Sequence, residues 1–167
     1  SHTNQCALEE RLTKPCSILI SLAALFFISH AAFAEISGPP RIIDGDTVAI
    51  GGERIRLHGI DAPEQKQTCS VEGIKWPCGR AATVALTELI GSYLVICKGN
   101  KRDRYKRLIA VCYAGSVNLN ARMVREGWAL AYRRYSDEYV SEEREAEKSM
   151  RGMWSGEFMP PWDWRRR

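Results

Sequence analysis

The sequence predicts a mainly β domain with helices: a five-stranded Greek-key β-barrel plus about three α-helices. Three observations lead there. Short β-rich runs are separated by glycine-marked turns, and one stretch carries the i, i+3, i+4 apolar spacing of a helix. The elements also follow a definite order: three strands, helix, two strands, helix, a short strand near Leu130, helix. A chain of 167 residues suits one domain, and 45% apolar with 26% charged residues excludes collagen-like and low-complexity classes.

Each element rests on its own signal. Arg41-Ile42-Ile43 and Thr47 to Ile50 read as strands broken by Asp44-Gly45-Asp46. Gly51-Gly52 then links Val48-Ala49-Ile50 to Glu53–Leu57, a tight hairpin, because both central residues of a type I′ turn need positive φ. Pro63 removes the next backbone donor and ends the third strand region. Residues 65 to 78 show no periodicity and read as a loop. Ala82, Ala85, Leu86, Leu89 and Ile90 form the apolar face of a helix closed by Gly91. Tyr93 to Cys97 and Leu108 to Tyr113 are β-rich runs around a basic hairpin. Asn118 to Glu126 predicts a short helix stopped by Gly127, and Ser136 can cap a third that runs to Arg151 before Gly152. This order satisfies the OB-fold arrangement.

The first 34 residues read as a targeting segment. Ile18 to Ile28 is an apolar core of 11 residues preceded by Arg11 and Lys14, and Ala32-Phe33-Ala34 has the small-x-small form of a cleavage site. The domain is therefore expected over residues 35–167 of an exported protein, periplasmic or secreted. An uncleaved anchor, the one route to a membrane association, needs about 20 apolar residues, and Ser29-His30 interrupts the run too early. Export leaves Cys69, Cys78, Cys97 and Cys112, an even set that permits three pairings. The preferred one staples a loop with Cys69–Cys78 and bridges the strands beside the basic hairpin with Cys97–Cys112. Zinc finds no Cys-x-x-Cys spacing, and His58 is the one histidine after the segment.

The net charge of +4 is only mildly basic. It is concentrated, however: Lys98 to Arg107 holds six basic residues and one acid, and the chain ends Arg165-Arg166-Arg167. On composition alone these runs read as a solvated hairpin tip and a frayed tail. The chemistry lies in three clusters. Asp44-Gly45-Asp46 offers hard oxygen ligands suited to Ca²⁺ or Mg²⁺, although taken alone it is a plain turn. Arg56, Asp61 and Glu64 supply a guanidinium fork for phosphate and carboxylates that can hold a cation and orient water. Asp103-Arg104-Tyr105-Lys106-Arg107 adds further arginines and an aromatic at a hairpin tip.

In this order, Ile43-Asp44-Gly45-Asp46-Thr47-Val48, Arg56-Leu57-x-Gly59-Ile60-Asp61-Ala62-Pro63-Glu64 and Asp103-Arg104-Tyr105-x-Arg107 resemble the staphylococcal nuclease family. The likeness runs on through Asn118-x-x-x-Met123-Val124-Arg125-x-Gly127 and Trp154, over residues 40 to 155. It implies a calcium-dependent endonuclease acting on DNA or RNA, working as a monomer and leaving 3′-phosphate ends. It assigns Ca²⁺ to Asp46, Asp61 and the backbone carbonyl of Ala62, with Asp44 supporting from behind. Glu64 matches the residue that positions the attacking water, and Arg56 and Arg107 match the two arginines on the phosphate. Tyr105 and Tyr132 match nucleotide-contacting tyrosines, and Arg104 belongs with them. Ala62 stands where the founding member has threonine, and the spacing from Gly127 to Tyr132 is one residue shorter. Lys106 replaces a glycine whose positive φ lysine tolerates poorly. A non-catalytic OB-fold module that binds single strands is the competing reading, as is a phosphodiesterase for small nucleotides. The presence of Asp46, Arg56, Asp61, Glu64 and Arg107 together favours catalysis.

Overall fold

Alternating side chains dictate the main sheet of the computed structural model, which describes residues 34–167. The targeting segment expected over residues 1–34 lies, up to residue 33, outside the described residues. Strands β1 (Ala34–Gly38), β2 (Arg41–Asp44), β3 (Thr47–Ile50), β4 (Glu53–Leu57), β8 (Val95–Arg102) and β9 (Leu108–Ala114) pair in the order β1-β8-β9-β4-β3-β2 and curl into a half-barrel. Short strands β5 (Ile60–Asp61), β6 (Cys69–Val71), β7 (Ile74–Trp76), β10 (Val117–Asn118) and β11 (Leu130–Ala131) complete the set. Every pairing is antiparallel except β4 with β9. That one parallel contact arises because the chain returns from a helix as β8, and β9, which turns back antiparallel from β8, lies beside β4 in the same direction.

In β9 every second residue is buried, and in β8 the buried residues are Val95, Cys97 and Gly99. The inward set meets Ile55 and Leu57 of β4 in one core. Gly51 and Gly52 turn the β3–β4 hairpin at φ of 58° and 87°, as the double glycine predicts. Helix α1 (Cys78–Ile90) buries Ala82, Ala85, Leu86 and Ile90. Helix α2 (Leu119–Arg125) is capped by the Asn118 side chain, which accepts from the Ala121 N–H. Helix α3 (Val140–Lys148) packs on α2, and a 3₁₀ turn (Gly152–Ser155) and α4 (Pro161–Trp164) finish the chain. Among the described residues no helix is long and apolar enough to cross a membrane.

Three elements depart from the expectation. Residues 65–78 are not a plain loop: β6 and β7 form a hairpin with Glu72 and Gly73 at its tip, closed by Cys69–Cys78. The second disulfide joins Cys97 and Cys112, which face each other across β8 and β9 with Cα atoms 4.1 Å apart, so both preferred pairings are present. Helix α3 starts at Val140 instead of following Ser136, whose hydroxyl accepts only from the Glu138 N–H. Tyr139 is buried with its ring against Gly59, and this anchor holds the preceding segment out of the helix. Finally, the C-terminal tail is not frayed, because α4 docks beside Tyr132 and carries Arg165 inward.

Candidate active site

Gly45 brings the acidic turn against the next strand pair. A Cβ there would lie 2.8 Å from that of Ala62 and 2.9 Å from that of Ala82, so only glycine allows this approach. The turn is shaped by Asp44, whose Oδ1 accepts the Asp46 N–H at 3.0 Å. Asp46 in turn accepts the Ala62 N–H at 2.7 Å through Oδ2 and the Thr47 hydroxyl at 3.1 Å through Oδ1. Thr47 lies opposite Arg56 in the β3–β4 register, which sets the guanidinium over Asp46. The same guanidinium donates from Nη2 to Asp61 Oδ1 at 2.8 Å and to the Ile60 carbonyl at 3.2 Å. Asp46 and Asp61 thus share one arginine on a buried floor, and the Asp61 side chain is 0% exposed.

Burial pushes the Asp44 carboxyl above its usual range, against the Thr47 hydrogen bond and the charges of Arg56 and Arg107. Burial likewise lowers Arg56, with Asp61 opposing and the like charge of Arg107 adding to the effect. Arg107 therefore bears on the same cluster although it comes from the β8–β9 hairpin. Its placement depends on Lys106, which takes φ of 65°. The strain is offset by Asp103, whose Oδ1 accepts the N–H groups of Tyr105 and Arg107 while Oδ2 accepts Arg107 Nε at 2.7 Å. The turn that glycine would ordinarily make is therefore made with lysine.

Glu64 stands at the mouth, with 41% of its side chain exposed. Tyr105 is exposed, and Arg104 lies over its ring at 4.7 Å and donates to its hydroxyl at 2.6 Å. These two form a rim and do not reach the buried floor. Tyr132 follows β11, which pairs with β5, and its N–H donates to the Gly59 carbonyl at 2.8 Å. Its ring is stacked on Trp162, with centroids 5.4 Å apart and planes at 6°.

Sequence reasoning missed Arg165. Its Nη2 donates to Asp61 Oδ2 at 2.7 Å, and its Nη1 to Asp61 Oδ1 at 3.1 Å and Glu64 Oε1 at 2.7 Å. Burial works against this charge, but the bonds to Asp61 and Glu64 outweigh it and raise the arginine. The one local signal was Trp162-Asp163-Trp164-Arg165, where Trp162 and Arg165 stand three apart and share a helix face.

Among the described residues no three carboxylate, imidazole or thiolate groups close on one point. The two converging carboxylates of Asp46 and Asp61 fit a hard divalent cation that takes its other ligands from carbonyl, water and phosphate oxygens. They do not fit a metal that demands a full cage of protein side chains.

A family model described as staphylococcal nuclease homologue matches residues 54–156. The chain is 36% identical over 157 residues to "Uncharacterized endonuclease" of Escherichia coli O157:H7, spanning 89% of this chain and 97% of that one. It is 34% identical to "Micrococcal nuclease" of Shigella flexneri, over 88% of this chain and 90% of the other. It is also 36% identical to "Succinoglycan biosynthesis protein ExoI" of Rhizobium meliloti (strain 1021), over 80% and 72%. Arg56, Asp61, Glu64 and Arg107 fall inside the range of the family model, whereas the Asp44–Asp46 turn and α4 lie outside it. On the extent of these matches, and with a half-barrel sheet of the expected type, the chain belongs to the staphylococcal nuclease homologue family.

Proposed function

We propose that the protein is an exported, calcium-dependent nuclease that hydrolyses phosphodiester bonds in DNA or RNA. The observation that carries this reading is the buried floor on which Arg56 joins Asp46 to Asp61, with Glu64 exposed beside it. Ca²⁺ would be held by Asp46, Asp61 and the Ala62 carbonyl, with Asp44 fixing the Asp46 backbone. When bound, the cation supplies positive charge against the non-bridging phosphate oxygens as negative charge grows on them.

The side chains supply the rest. Three of the five N–H bonds of the Arg56 guanidinium go to Asp46, Asp61 and Ile60, which leaves two for a phosphate oxygen. Arg107 approaches from the hairpin and adds a second fork. Glu64 orients the attacking water and takes up its proton as the water oxygen bonds to phosphorus and the bond to one ester oxygen breaks, the leaving oxygen drawing its proton from solvent water. Tyr132, Tyr105 and Arg104 hold the nucleotides on either side. Two disulfides in the domain fit an oxidising compartment, and they support export.

The test is cleavage of single-stranded DNA and RNA in excess chelator and after Ca²⁺ is restored. Cleavage should stop and return, and undiminished cleavage in chelator would refute the metal assignment. Glu64→Gln should lower turnover by about 10²-fold or more with nucleotide affinity nearly intact. Wild-type turnover in that variant excludes Glu64 from the chemistry. Binding without any cleavage under both conditions would favour the non-catalytic module instead.

A further inference from the structure

Two positions that the proposed function needs are covered by one short element. At the C-terminal cap of α4, Arg165 forks onto both oxygens of Asp61 and reaches Glu64. Trp162, three residues earlier, stacks flat on Tyr132. The segment is pinned just before the helix. The N–H groups of Ser70 and Glu157 donate to each other's carbonyls at 2.8 and 2.7 Å. Buried Gln67 donates to the Met159 carbonyl at 2.7 Å and accepts the Glu64 N–H at 3.2 Å. Beyond Met159 the hold on the barrel is made by α4 itself, and the Arg165 side chain is still 39% exposed. Pro161 is buried and Trp162 also packs against the Leu130 and Met153 cluster, so opening must part these apolar contacts together with the Arg165 ion pairs.

We propose that residues 160–167 form a reversible cover, in which Arg165 occupies the cation's place on Asp61 and Trp162 occupies a base's place on Tyr132. The inference rests on the calcium and nucleotide roles proposed above. Asp61 Oδ2 is taken by Arg165, and Oδ1 by Arg56 and Arg165 together. A divalent cation brought to the same carboxylate meets a guanidinium of like charge and must displace it. Glu64 is released in the same movement and becomes free to hold water. Closing therefore raises the calcium concentration at which the site assembles. A nucleotide that stacks on Tyr132 in place of Trp162 lowers it again.

Calcium titration of the full chain by calorimetry tests this without recourse to turnover. Arg165→Gln should bind Ca²⁺ about tenfold more tightly than wild type, as expected of a cover closed about nine-tenths of the time. Arg165→Lys, which keeps the charge and loses the fork, should fall between them. Saturating wild type with Ca²⁺ should also change tryptophan emission as Trp162 leaves Tyr132, and Trp162→Phe should abolish that change. Arg165→Gln should cleave faster than wild type at low Ca²⁺ and equally at saturation. Equal affinity in wild type and both Arg165 variants overturns the cover and leaves the calcium reading intact. Equal affinity with a lower kcat in Arg165→Gln makes Arg165 a fixed third arginine, which also overturns the cover. Absence of Ca²⁺ binding in all three proteins overturns the calcium reading and the cover with it.

Discussion

Replacing Arg56 with Met separates the electrostatic frame of the site from its packing. Methionine fills the volume of the arginine stem but leaves Asp46 without its charged partner, and Asp61 with Arg165 alone. Breaking a buried ion pair from one side costs about 3–5 kcal/mol. Here Asp46 keeps the Ala62 N–H and the Thr47 hydroxyl, and Asp61 keeps Arg165. The loss should therefore fall at the lower end, about 3 kcal/mol, which is a fall in Tm of roughly 6–12 °C at this size. Calcium should partly restore it, because a cation now meets two carboxylates with one neutralising arginine fewer. At a concentration 100 times its Kd a ligand adds about 2.7 kcal/mol, so a variant that binds Ca²⁺ more tightly gains more than wild type does. Thermal unfolding followed by circular dichroism in chelator and in Ca²⁺ measures both effects. A fall below 2 °C in chelator, or a gap between the proteins that Ca²⁺ fails to narrow, would show that Arg56 does not balance the two acids.

Arg107→Ala should lower kcat by about 10²-fold or more, with a smaller change in KM. If kcat holds and KM alone rises in a salt-dependent way, Arg107 belongs to a cationic rim. Burial raises the Asp103 carboxyl, but Arg107 and the backbone N–H groups outweigh this and hold it below the usual range. It therefore contributes stability above about pH 4, the unfolded carboxylate value, which is lost as pH falls through the depressed folded value. Asp103→Asn should lower stability at neutral pH and flatten the acid limb of the unfolding profile, and an unaltered limb would contradict the pairing. Gly45→Ala forces a Cβ to within 2.8 Å of Ala62 and 2.9 Å of Ala82. It should cost about 1–3 kcal/mol and weaken Ca²⁺ binding together with stability, whereas an unchanged midpoint in urea would show that the turn yields freely.

Much of this molecule is written in short-range patterns. Gly51-Gly52 encodes its turn in two residues, α1 shows its buried face at helical spacing, and β9 is legible as a β-rich run, although which of its seven apolar residues face inward is set only by the sheet. These depend on φ preference and on side-chain periodicity, both local, so they need no knowledge of what packs opposite. The ordered motifs likewise place Asp46, Arg56, Asp61 and Glu64 around one turn and its neighbouring strands, because those residues lie within twenty positions of each other. The β6–β7 hairpin was illegible for the opposite reason. Each strand has three residues, and its stability comes from a disulfide and from Glu157, far along the chain. Helix α3 begins where Tyr139 is caught against Gly59, a contact between distant residues that no capping signal announces.

Lys106 and Arg165 mark the boundary most clearly. Composition identifies both as members of basic runs, and a basic run by default is solvated. Lys106 keeps a left-handed conformation because the Asp103 carboxylate gathers the N–H groups on either side of it, a set of bonds that exists only once the hairpin has closed. Arg165 meets Asp61 and Glu64 across 104 and 101 residues of chain. Charge and residue type determine that an arginine can bind a carboxylate. Only the docking of α4 on Tyr132, once folding has met the entropy of bringing this distant segment back to the barrel, decides which carboxylate it binds.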